Sequence, residues 1–187
     1  DVLCERTFAP WFDMEELLQK KELPLYTLES GKAIKDFDIL GFTLQYEMSY
    51  TNILNMISLA EMPIRSEERG EEYPLVIAGG ATVFNPEPLA PFIDIFFIGE
   101  AEEIIVDFVH EYKRLKKMEL SREEILYKLN ELPGMYVPSL YKMEYSEDDN
   151  NILKPVDKTI KKTINKQIVK NLDESFYPTD FIVPFMD

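Results

Sequence analysis

"PLVIAGGATVFNPEPLAPFIDIFFIGEAEE", residues 74–103, holds two short apolar runs that each stop at glycine, the first at Gly79-Gly80 and the second at Gly99. Both runs are apolar on nearly every position and rich in Ile, Val and Phe, as expected of strands covered on both faces. Between them, Pro86, Pro88 and Pro91 bar a regular helix from "ATVFNPEPLAPF". After Gly99 the pattern predicts a helix from Ala101 to about Lys117 with Ile104, Ile105, Phe108, Tyr112 and Leu115 as its buried stripe. The unit is therefore strand, loop, strand, helix, and both glycine turns fall at strand carboxyl ends.

The same alternation extends upstream. "FDILGFTLQY", residues 37–46, reads as another fully covered strand, and "SYTNILNMISLAEM" carries Ile53, Met56, Ile57 and Ala60 at helical spacing before Pro63 ends it. Before that, "RTFAPW" reads as an extended run and "DMEELLQKK" as a helix, with Asp13 as N-cap and Glu16 at the capping-box position. Downstream, "SREEILYKLNEL" predicts a helix capped by Ser121 and Glu124 and ended by Pro133-Gly134. The fold class that follows is α/β: a Rossmann-like or flavodoxin-like parallel sheet with helices on both faces.

After Gly134 the propensity turns extended. "SEDDNN", residues 146–151, reads as a polar turn between two strand-like runs, so a C-terminal β-hairpin and an extended arm are expected. The predicted division is 1–134 for the α/β domain and 135–187 for the hairpin and a linker. "YPTDFIVPFMD" is strand-like and points toward further chain, and with no methionine at Asp1 the sequence reads as a piece of a longer protein. No internal repeat or low-complexity segment is present.

With 187 residues, 45% of them apolar and 12% aromatic, the chain can build a proper core. A formal net charge of −15 makes the surface as a whole repel nucleic acid and anionic membrane. Lys154, Lys158, Lys161, Lys162, Lys166 and Lys170 form a local basic exception, read as a solvated edge because no arginine and few aromatics interleave. Cys4 is the only cysteine, so neither a disulfide nor a cysteine-ligated cluster can be completed within the chain. No apolar run reaches the roughly 20 residues of a membrane span. A cytoplasmic location is the expectation.

In such a sheet, ligands bind beyond the strand carboxyl ends, where turn and helix N–H groups are free. Gly79-Gly80 and Gly99 share that rim, and Thr43, Gln45 and Ser49 at the end of the second strand lie on it too. Glycine there either permits positive φ or lets a planar ligand approach without meeting a Cβ, and both readings stand. The spacing is not the dinucleotide fingerprint, and no Gly-Lys-Ser/Thr phosphate loop occurs. Glu102 and Glu103 suit a helix start electrostatically, whereas Glu100, placed at the N-cap, is kept as a ligand contact. His110, the only histidine, falls on the solvent side of its helix, and Asp36, Asp38 and Asp94 read as residues that bound strands. No catalytic triad or zinc site can be assembled.

The stretch at 74–103, together with "ERTFAPWFDMEELL", "LESGKAIKDFDILGFTLQYEMSYTNILNM" and "YPTDFIVPFMD", resembles an uncharacterised branch of radical SAM proteins, over its N-terminal cobalamin-binding-like domain. The resemblance covers nearly the whole chain. It implies a Rossmann-like domain preceding a radical SAM barrel that carries a four-iron cluster and S-adenosylmethionine. It also implies cobalamin in the cleft lined by Thr43, Ser49, Gly79, Gly80, Thr82, Gly99 and Glu100. Against the family pattern, the first strand and the loop with an Asp-x-His motif would lie upstream of Asp1, Ala101 replaces a glycine, and the cysteine motif would follow Asp187. In a flavodoxin-like order the first strand is central, so its absence leaves a gap between neighbours.

Two functions are thus expected to compete: a cofactor platform and lid for chemistry in the following domain, or a ligand-free scaffold of the same fold. The scaffold reading expects a rim too narrow, or too filled by Phe84 and Tyr46, for a corrin. A flavin phosphate is the weaker alternative, since the first-strand loop that would hold it is absent.

Overall fold

The computed structural model describes residues 2–145 and 152–176. The predicted turn at 146–151 and the strand-like run at 177–187 lie outside them. At the centre is β2 (Leu75–Gly79), which pairs in parallel with β1 (Ile39–Thr43) on one side and with β3 (Ile95–Phe97) on the other. A two-residue strand, β4 (Met135–Tyr136), adds antiparallel to β3, giving a sheet in the order β1-β2-β3-β4. β2 and β3 are buried along nearly their whole length because both faces of the sheet are covered there, whereas β1, expected to be covered likewise, buries Leu40 and Phe42 and leaves Gly41 and Thr43 exposed.

Alternation along β2 sorts the core into two layers. Val76 and Ala78 face α1 (Phe12–Lys21) and α2 (Tyr50–Leu59), joined by Leu18, Leu40, Phe42, Ile53, Met56 and Ile57. Leu75 and Ile77 face α3 (Ile104–Lys116) and α4 (Arg122–Leu129), with Ile95, Phe97, Phe108, Tyr112, Leu115 and Leu129. The helical stripes expected of α2 and α3 are the buried residues, although Ile105 is only half-buried and α3 begins three residues later than Ala101. At α4, Ser121 Oγ accepts from the Glu124 N–H and the Glu124 carboxylate accepts from the Ser121 N–H, closing both halves of the predicted box.

Two expectations near the N-terminus need correction, while the C-terminal hairpin is present as expected. "RTFAPW" is no strand in this structure: residues 2–11 form neither helix nor strand, and Arg6 and Thr7 bond instead to the loop at Tyr26–Glu29. Helix α1 starts one residue before Asp13, so Trp11 takes the N-cap without any side-chain bond and Asp13 lies inside the first turn. Past Gly134, Met135-Tyr136 joins the main sheet, and the hairpin is made by β5 (Tyr141–Glu144) and β6 (Ile152–Pro155).

The proline loop contains only single 3-10 turns, at Ala81–Phe84 and Glu87–Leu89, as its prolines dictate. It is pinned at its middle where the Tyr136 hydroxyl donates to Glu87 Oε1 at 2.6 Å. Burial, reinforced by Glu87, pushes the Tyr136 phenol well up, and burial with the nearby Asp38 charge pushes Tyr112 up to about 12. Burial raises Tyr141 as well. Each group holds its proton more tightly folded than unfolded, so its stabilisation is intact below about pH 10, the ordinary phenol range. Thermal stability is therefore expected to hold up to about pH 10 and to fall as pH rises toward about 12, where Tyr112 ionises in the folded state. Melting curves read alongside phenolate absorbance check this. Ionisation of the Tyr112 phenol at pH 10 before any unfolding, read as the absorbance change that Tyr112→Phe removes, would overturn it.

Candidate functional site

The carboxyl ends of β1, β2 and β3 form one rim, and the first cluster on it is stitched together by Leu44. The Leu44 N–H donates to the Gly79 carbonyl at 2.6 Å, while its own carbonyl accepts from the Thr82 N–H at 3.1 Å and the Thr82 hydroxyl at 3.3 Å. Gly80 has φ +117°, and a Cβ on it would sit 2.6 Å from the Leu44 carbonyl oxygen and 2.9 Å from its nitrogen. Gly79, Gly80 and Thr82 thus converge on the backbone that follows Thr43, and Thr43 itself is exposed at the end of β1. Ser49 spends its hydroxyl on the Tyr46 carbonyl at 2.7 Å, fixing the turn into α2.

The second cluster lies at the end of β3. Gly99 has φ +107°, and a Cβ there would overlap the carbonyl oxygen of Gln167. The Gln167 N–H donates to Ile98 O at 2.8 Å, its carbonyl accepts from Glu100 N at 3.0 Å, and the Glu100 carboxylate accepts from the Val169 N–H. The arm after the hairpin therefore runs across the rim as a single parallel bridge. What space remains between Gly99, Gly134 and Gln167 is too small for a water molecule. Buried Ile160 and Val169 and the Lys161 ammonium, which donates to Leu132 O at 2.6 Å, hold this arm down.

Glu100 is not the helix cap: α3 starts at Ile104 with Glu103 at the N-cap, so Glu100 serves the arm instead. His110 is exposed, as its wheel position implied. Among the described residues no group of three or more His, Cys, Asp or Glu could hold a metal ion, and no helix is long and apolar enough to cross a membrane. Tyr46, Met48 and Phe84 stand out from the rim with 55%, 84% and 62% of their surface exposed, so neither aromatic folds inward.

Sequence reasoning missed the partners of both glycines. Leu44 looked like one more strand residue, and Gln167 sits in a lysine-rich run with no local signal of contact. It also missed the opposite end of the sheet, where Arg69 and Arg122 both reach Asp94 Oδ2, at 3.3 and 2.8 Å.

Residues 1–138 match the N-terminal family of radical SAM proteins. The chain belongs to that family. It is also 35% identical, over 79 residues, to an uncharacterized protein of Methanocaldococcus jannaschii, a match covering 42% of this chain and 16% of the relative's length. No solved structure matches.

Proposed function

We propose that this N-terminal domain is an accessory docking scaffold whose carboxyl rim faces the radical SAM domain of its parent protein, with the arm at residues 156–176 as the tether between them. The observation that carries the reading is the seating of Gln167 on Gly99, which explains that glycine without a ligand and brings the connecting chain onto the rim. Exposed apolar side chains cluster at the same end. Helix α1 runs alongside α2 in the same direction, since Glu15 meets Asn55 at 3.0 Å and Leu25 N bonds Leu59 O at 2.8 Å. Its first residues, Trp11 and Phe12, therefore stand at the rim with Tyr46, Met48 and Phe84, and the arm adds Ile168 beside Gln167. Such a surface suits burial against a second folded domain.

Cobalamin fits these residues poorly. A corrin laid on the rim needs open glycine faces, and those of Gly80 and Gly99 are taken by the backbones of Leu44 and Gln167. The four-iron cluster and S-adenosylmethionine belong, on this reading, to the following domain. In the parent protein, the paired substitutions Met48→Glu and Phe84→Glu are expected to remove roughly 1.5–3 kcal/mol of apolar burial each. The domains should then separate in small-angle scattering while far-UV circular dichroism stays native. An unchanged scattering profile overturns the docking face, and retention of cobalamin by the parent protein overturns the ligand-free reading.

A further inference from the structure

The arm after the hairpin is held in two places with slack between them. Its near half is tied into the fold: Val156 N donates to Leu140 O at 2.9 Å, the Tyr141 hydroxyl to Lys161 O at 3.0 Å and Lys161 Nζ to Leu132 O at 2.6 Å, and Ile160 is buried. From Lys162 to Lys166 no hydrogen bond or ion pair forms among the described residues, and Ile164 packs half-buried on the core. Gln167 and Val169 then anchor the far half. From Lys170 to Phe176 the hydrogen bonds among the described residues are local ones about the turn at Leu172–Glu174.

What receives Gln167 is a notch built from two bare backbones. Gly99, past the end of β3, and Gly134, just before β4, have φ of +107° and +69°, and both turn their open faces on the same residue. A Cβ on Gly99 would overlap the Gln167 main chain, and one on Gly134 would meet Gln167 Cβ at 3.0 Å. The Ile98 N–H donates to Gly134 O at 2.7 Å, while Ile98 O accepts from Gln167 N at 2.8 Å and Glu100 N donates to Gln167 O at 3.0 Å. Those last two are the bonds of a parallel strand pair, one bridge long. The Gln167 carboxamide makes no hydrogen bond among the described residues, so the notch reads main chain rather than side chain. A side-chain requirement comes two positions later, where Val169 is buried and its N–H donates to the Glu100 carboxylate.

We infer that this notch is a receptor for one extended stretch of polypeptide, bound by strand addition parallel to β3, and that residues 162–170 are its exchangeable occupant. Strand addition takes its affinity from main-chain bonds and its selectivity from pockets for alternate side chains. An incoming peptide therefore needs an N–H and a C=O at the place of Gln167, no proline there, and an apolar residue two positions on. The resident arm has the advantage of being tethered. Against that stands the ordering of the whole stretch from Lys162 to Lys170 for three hydrogen bonds and one buried valine. Segments anchored so sparsely open without unfolding the sheet beneath them. Each opening uncovers Ile98 O, the Glu100 N–H and carboxylate, and the faces of both glycines.

The test is made on the parent protein with Met48 and Phe84 in place, so its failure leaves the docking face standing. Amide exchange at Gln167 and Val169 is expected to run about a hundredfold faster than at Val76 to Ala78 of β2, because the arm opens locally. Gln167→Pro removes the N–H that bonds Ile98 O and is expected to free the arm while β2 protection stays native. An arm that exchanges only with β2, or that stays protected in Gln167→Pro, overturns the exchangeable occupant. A labelled peptide of residues 162–171, KTINKQIVKN, is expected to bind the Gln167→Pro protein saturably. Adding Gly99→Ala to that protein is expected to weaken binding about tenfold or more, and the peptide carrying the Gln167→Pro change itself is expected not to bind. No binding to the opened protein, or binding indifferent to both changes, overturns the receptor.

Discussion

Asp94→Ala is expected to lower the unfolding free energy by about 3–5 kcal/mol, the loss seen when one partner of a buried ion cluster is removed. Asp94 stands at the amino end of β3, 4% exposed. Its Oδ2 accepts from the Val76 N–H at 2.7 Å, from Arg122 at 2.8 Å and from Arg69 at 3.3 Å. Two guanidinium groups thus share one carboxylate. Burial, ahead of the repulsion from Arg122, holds Arg69 below the usual arginine range even with Asp94 present. Their other donors tie the loop before β2 to both sheet and helix: Arg69 bonds Pro63 O, Ile64 O and Phe92 O, and Arg122 bonds Gly70 O, Tyr73 O and Pro74 O. Both Nε atoms are already buried without a partner among the described residues, so the alanine variant would leave two unneutralised cations around an empty acceptor site. Urea denaturation measures the loss, and Asp94→Asn, which keeps an acceptor but not the charge, should fall between. A loss under about 1 kcal/mol would place the cluster with ordinary surface pairs and sink the claim.

That cluster marks the limit of what local pattern conveys. The spacing of Ile53, Met56 and Ile57, the capping pair Ser121 and Glu124, and the uniformly apolar runs of β1, β2 and β3 were all legible because each signal is complete within a few residues. Reading Asp94 as a residue that bounds a strand was correct as far as it went. The partners that make it structural are 25 and 28 positions away. Likewise, the two-residue β4 has no periodicity to detect, and only its antiparallel seat against Phe96 and Phe97 makes Met135-Tyr136 a strand. "RTFAPW" shows the converse. Its extended propensity is real, yet a strand exists only through its neighbours, and a cleft of about 290 Å³ lies between Glu5–Phe8 and Ile39–Gly41 of β1.

Among the candidate site residues, the glycines separate two kinds of constraint, and substituting them tells the kinds apart. Gly80→Ala is expected to destabilise the whole domain. At φ +117° and ψ −168° the backbone is in a region open essentially to glycine alone, a strain of roughly 1–3 kcal/mol for alanine. The added Cβ also meets main chain of Leu44, which is buried, donates to Gly79 and accepts from Thr82, so it cannot yield. Gly99→Ala meets a carbonyl of the arm instead, and the arm can lift. At φ +107° alanine meets backbone strain of roughly 1–3 kcal/mol here too, so the denaturation midpoint falls, but exchange at Gln167 and Val169 is expected to quicken beyond that loss. If the rim is closed by its own tether, arm exchange outruns the lost stability in Gly99→Ala and only keeps pace with it in Gly80→Ala, which denaturation and hydrogen exchange together read. If Gly99→Ala left arm exchange untouched, Gln167 would not be what the glycine accommodates, and the case for an open, ligand-bearing rim at residues 99–100 would return.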